Sequence, residues 1–148
     1  MSNDAAVTKD LIQTLEDGKD GFAKGADKLE KDGEATLAST FRELGSARAA
    51  MSDELQKIAA SYGDQIEESG TVAAKAHRGW MAVKDAFAGS DPDGVLDAAE
   101  QGEDHAVSEF EKALQSDISP EFKTVVQRQL GEVRSAHDQV KALRDSRS

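Results

Sequence analysis

The sequence predicts an all-α fold, an antiparallel up-down helical bundle of four long helices and one shorter helix. Three observations carry this expectation. Apolar residues recur at spacings of three and four through five segments of the chain, the pattern that lines one face of a helix. Cap and turn signals, Asp32-Gly33, Ser90-Asp91-Pro92 and Ser119-Pro120, fall between those segments. No alternation of period two lasts long enough to make a strand. At 148 residues the chain reads as a single domain, 1–148, and a domain of that size buries about 68–70% of its extended surface on folding.

The first segment runs from about Asp4 to Glu30, with Leu11, Leu15, Gly18, Phe22, Gly25 and Leu29 on its stripe. Asp32-Gly33 ends it, since glycine accepts the left-handed backbone that a tight turn needs. The second runs from about Glu34 to Ala60 on a heptad-like seam of Leu37, Phe41, Leu44, Arg48, Met51, Leu55, Ile58 and Tyr62. Gly63 and Ser69-Gly70-Thr71 bracket the longest loop. A shorter third helix, about Val72 to Phe87, carries Ala73, Ala76, Trp80, Val83 and Phe87. The fourth begins at Ser90 or Asp91 as N-cap, with Pro92 in the first turn, where a missing N–H costs nothing. Its stripe is Leu96, Ala99, Glu103, Ala106, Phe110 and Ala113. The fifth repeats the device at Ser119-Pro120 and continues through Phe122, Val126, Gln129, Val133, Ala136, Val140 and Leu143, with fraying expected from Asp145 to Ser148. Short loops favour antiparallel neighbours.

Composition excludes several classes of function. The formal charge is −11, whereas nucleic-acid binding needs a basic stripe and adhesion to an anionic membrane needs basic residues. With no cysteine there is no disulfide framework, thiolate nucleophile or sulfur-ligated metal. No segment approaches the roughly 20 apolar residues of a membrane span. Met1-Ser2-Asn3-Asp4 shows no secretory signal, so the cytoplasm is the default expectation. No phosphate loop and no nucleophile signature is present. Trp80 and Met81 read as core or docking residues, and exposed apolar surface there would favour a dimer.

The informative positions are those where a polar residue interrupts an apolar stripe. Arg48, Glu103 and Gln129 take core slots in the second, fourth and fifth helices, and His77 and His137 each lie one residue past a core position. Arg48, Glu103, Gln129, Glu132, His77 and Gly18 all fall near the midpoints of their expected helices. In an antiparallel bundle, midpoints share a height. The sequence therefore predicts a mid-height polar layer, structural in character, of Arg48, Glu103 and Gln129, with Arg48–Glu103 as its ion pair. Such a pair fixes register more than it adds stability.

The segments LIQTLEDGKDGF at 11–22, FRELGSARAAMSDELQ at 41–56, HRGWMAVKDAF at 77–87, AEQGEDHAVSEFEKAL at 99–114 and RQLGEVRSAHDQVKALRD at 128–145 carry a resemblance. The chain resembles bacterial four-helix-bundle proteins of unknown function grouped with the ferritin-like and rubrerythrin-like proteins. The wider group implies a di-iron or di-manganese carboxylate centre, built from a Glu on each of two helices and a Glu-x-x-His on each of the other two. Here the residues three before His77, His105 and His137 are Ala74, Gly102 and Arg134. Glu16, Asp17 and Asp20 fall off the first stripe, and Glu43 falls outside the second seam.

Two functional expectations follow. In the leading one the bundle is non-enzymatic, needs no cofactor, holds an ion pair where a metal centre has degenerated, and binds an unknown protein partner or itself. The stress setting is implied by the resemblance alone. In the runner-up it is a metal-binding, oxidoreductase-like bundle that holds iron or manganese through Glu103, Glu132 and His137, with His77 or Glu16 assisting.

Overall fold

A computed structural model describes residues 4–61 and 91–147. The four helices among the described residues are α1 (Asp4–Lys31), α2 (Ala35–Ala60), α3 (Pro92–Leu114) and α4 (Pro120–Arg147). All four are long, and there is no strand among the described residues. The expected third helix, with His77, Trp80 and Met81, lies outside the described residues, as does Tyr62 of the second seam. No helix among the described residues is long and apolar enough to cross a membrane.

The helix ends follow the local signals. Gly33, at φ 82°, closes α1. The Glu34 N–H donates to the Leu29 carbonyl and the Gly33 N–H to the Glu30 carbonyl, the paired bonds of a Schellman ending. Asp91 caps α3, its carboxylate accepting from the Gly94 N–H at 2.8 Å. Ser119 caps α4 by accepting from the Phe122 N–H at 3.3 Å. That cap is itself held by α1: the buried Asp4 carboxylate accepts from the Ser119 N–H at 2.8 Å and from its hydroxyl at 2.6 Å. α4 is helical through Asp145 to Arg147. Arg144 anchors its last turns through ion pairs with Glu100 and Asp97 of α3.

Packing sets the topology. One apolar cluster joins Phe22, Ala26 and Leu29 of α1, Leu37 to Leu44 of α2, Val95 to Ala99 of α3, and Ala136 and Val140 of α4. The other joins Val7, Leu11 and Leu15 to Met51, Leu55, Ala106, Phe110, Phe122 and Val126. The late part of α1 thus meets the early parts of α2 and α3 and the late part of α4. So α1 and α4 run one way, and α2 and α3 the other. α1 packs against α2 and α3, and α3 against α4. α4 reaches α2 through Arg128 and Gln129. Every neighbouring pair is antiparallel, while α2 and α3 are parallel across the diagonal.

Within the first cluster, Phe22 and Phe41 meet edge to face at 5.3 Å between centroids, and each buried large apolar side chain stabilises the fold by about 1.5–3 kcal/mol. α1 and α2 pack closely at Gly45. A β-carbon there would lie 3.4 Å from Phe22 Cβ and 3.6 Å from the Lys19 carbonyl oxygen.

Candidate functional site

Between the two apolar clusters three residues on the first three helices form one buried contact. They are Gly18, Arg48 and Glu103, which stand at the midpoints of α1, α2 and α3. The Arg48 side chain is 2% exposed and that of Glu103 is 0% exposed. Arg48 Nη2 donates to Glu103 Oε2 across the diagonal of the bundle. Room for the guanidinium comes from Gly18, where a β-carbon would stand 3.0 Å from Arg48 Nη1. Phe22, one turn along α1, supports the cation with its ring, 5.5 Å from Arg48 Cζ to the centroid. Leaving out glycine's side chain therefore lets a charged group lie flat inside a bundle that is otherwise packed with hydrocarbon.

The pair is joined through one contact. Arg48 Nη1 and Glu103 Oε1 are buried and have no hydrogen-bond partner, each costing about 1–3 kcal/mol relative to a satisfied group. Burial pushes the Glu103 carboxyl above its ordinary value, against the pull of the Arg48 charge and hydrogen bond and of His137. Desolvation of both charges offsets much of their attraction, so a pair held this way adds little net stability.

Gln129 is fully buried but does not sit in this layer. Its Nε2 donates to the Met51 carbonyl at 3.2 Å and to Glu54 Oε1 at 2.8 Å, one turn away from Arg48. Docking of α4 sets this height: Gln129 meets Met51 and Glu54 of α2, while His137, two turns further on, lies against Asp104 beside Glu103. Ser52 is buried at the same level and accepts from Gln56 Nε2 at 2.9 Å.

The remaining candidates disperse. Glu132 is 54% exposed, with Arg128 Nη1 at 3.7 Å, on the outer face of α4 rather than in the interior. Glu16 lies at the surface, paired with Lys19 at 3.2 Å. His137 is 19% exposed and spends both ring nitrogens on aspartates, Nε2 with Asp104 at 2.6 Å and Nδ1 with Asp138 at 3.2 Å. Its partial burial lowers its proton affinity, but the Asp138 and Asp104 carboxylates together outweigh that and hold the imidazole above its ordinary value. His77 lies outside the described residues. His105 pairs loosely with Glu109 at 3.8 Å along its own helix.

Asp17 is a correction in the other direction. Expected off the stripe, it is 2% exposed and accepts from Gln13 Nε2 at 3.0 Å. α1 has neighbours on two sides, so its buried arc is wider than a single stripe. Sequence reasoning also passed over Gly18 as a functional residue, although its position at a helix midpoint opposite a large cation was available as a signal.

Among the described residues no three His, Asp or Glu side chains converge on one point. The most deeply buried carboxylate, Glu103, is opposed by the Arg48 guanidinium, which would repel a divalent cation.

Residues 5–116 match the family model described as "Domain of unknown function (DUF2383)", and the chain belongs to that family. No curated protein matches it.

Proposed function

We propose, starting from membership of a family defined without an activity, that this chain is a non-enzymatic, ferritin-like bundle of the cytoplasm. An ion pair stands where related bundles hold two metal ions, and the protein acts by binding a protein partner or a second copy of itself. The stress setting belongs to the same reading and rests on the resemblance alone. The observation that carries the proposal is the guanidinium of Arg48 in the interior, accommodated by Gly18 and opposed by Glu103. A positive side chain at that height supplies the charge that a carboxylate-lined centre would otherwise take from a metal.

The test is metal content of protein purified without chelator, followed by titration with ferrous iron under air. The expected result is iron well below one equivalent and no iron-dependent oxygen uptake. Stoichiometric iron with ferroxidase turnover would overturn the proposal and install the metal-binding, oxidoreductase-like alternative.

A further inference from the structure

We propose that two copies of this chain pair through antiparallel α2 helices, about a two-fold axis at the helix midpoint. The inference deepens the reading above by naming a second copy as the partner.

The outer side of the α1–α2 hairpin carries a shallow groove of about 380 Å³, lined by Lys19, Ala23 and Asp27 on α1 and by Arg42, Ser46 and Ala49 on α2. Its floor is low because Gly45 sits directly against Phe22 and the Lys19 backbone. Small side chains on a helix face let a second helix approach to the short end of the usual 8–10 Å.

The charges around the groove fit a second copy. Arg42, Ser46, Ala49 and Asp53 follow one another at intervals of four, three and four residues, which keeps them within about 60° of one helical face. The order is cation, small, small, anion. That stripe is symmetric about the point between Ala47 and Arg48, which is also the centre of α2. A second α2 turned end for end therefore overlaps the first along its whole length. It sets Arg42 of each copy against Asp53 of the other, and Ser46 against Ala49. Asp53 is exposed and has no cation partner among the described residues, while Arg42 is held at the groove by Asp27 at 3.4 Å and Glu30 at 3.1 Å.

The alternative outer face of α3 fails the same test. It presents Asp93, Asp97, Asp104 and Glu111, all exposed, of which Asp97 and Asp104 already pair with Arg144 and His137 of α4, and it lacks the cation–anion symmetry of the α2 stripe. For a chain of charge −11, avoiding like-charge contact decides which face can self-associate.

Sedimentation equilibrium of the full chain over the micromolar range, in low and in high salt, tests the proposal. The wild type is expected to dimerise, more weakly in high salt. Asp53→Arg and Arg42→Asp should each weaken association by about tenfold or more, and the double reversal should restore it to within about threefold. Because Arg42→Asp also removes contacts to Asp27 and Glu30, Ser46→Glu is a further variant that breaks no such pair and should also weaken the dimer. Circular dichroism melts separate lost folding from lost pairing. A wild type that stays monomeric, a dimer indifferent to these changes, or a double reversal as weak as the singles overturns the proposal. Iron loading is scored separately. An iron-free monomer defeats the pairing and leaves the reading above intact, whereas an iron-loaded dimer does the reverse.

Discussion

Replacing Arg48 by Met and Glu103 by Leu, singly and together, tests whether the interior pair specifies the fold without stabilising it. Either single change leaves one charged group at most 2% exposed with nothing to oppose it, which costs about 3–5 kcal/mol. That is a large share of the roughly 5–15 kcal/mol that holds an ordinary domain together. The two singles differ in how they respond to pH. In Arg48→Met the stranded Glu103, already pushed upward by burial, can take a proton. A carboxyl raised in the folded state contributes stability below its unfolded value of about 4.5 and loses it as pH rises through the folded value. The defect of Arg48→Met should therefore shrink on acidification. In Glu103→Leu the arginine cannot shed its charge, so its defect should not shrink in that way. The double variant removes both charges and both orphaned atoms, Arg48 Nη1 and Glu103 Oε1. It should be as stable as the wild type or more stable, by up to about 4 kcal/mol, giving a coupling energy above about 6 kcal/mol. Urea unfolding followed by far-ultraviolet circular dichroism reads all four proteins. A double variant no more stable than either single would refute the ion-pair account.

Two further outcomes follow from the same geometry. Gly18→Ala should destabilise the wild type, since its β-carbon would stand 3.0 Å from a buried guanidinium. In the Arg48→Met background it should instead stabilise by about 1 kcal/mol through helix propensity, and the same sign in both backgrounds, read by urea unfolding, would remove Gly18 from the site. His137 should titrate above its ordinary value, because Asp138 and Asp104 together outweigh burial. A raised histidine contributes stability that is complete below its unfolded pKa, about 6.5, and is lost as pH rises through the folded value. His137→Gln should thus cost more at pH 6 than at pH 9, by less than about 1 kcal/mol because both aspartates are well exposed. Proton NMR of the imidazole checks this, and a midpoint at or below that of a free histidine contradicts it.

Much of the architecture was legible in the chain because its determinants are local. Pro92 behind Asp91, and glycine after Asp32, set helix ends through bonds that span only a few residues. The three-four spacing of apolar residues placed Arg48 and Glu103 on inward faces, because a helix's own period decides which side a residue takes. The family match identifies a family and leaves its chemistry open, so the site had to be built from side chains.

Position along the bundle axis is not a local property. Gln129 lies one turn from its expected height because the axial position of α4 is fixed by its contacts with other helices, Gln129 with Met51 and Glu54 of α2 and Arg144 with Glu100 of α3. Glu132 faces solvent and Asp17 faces inward for a related reason. The width of a buried arc depends on how many helices lie against it, which a single stripe does not encode. The sequence by itself determined that a guanidinium and a carboxylate would face the interior. Their matching heights at the helix midpoints pointed to a pair, and only the tertiary structure decided how it is accommodated: the contact joins diagonal helices 55 residues apart in the chain and uses the missing side chain of Gly18, on a third helix, for space.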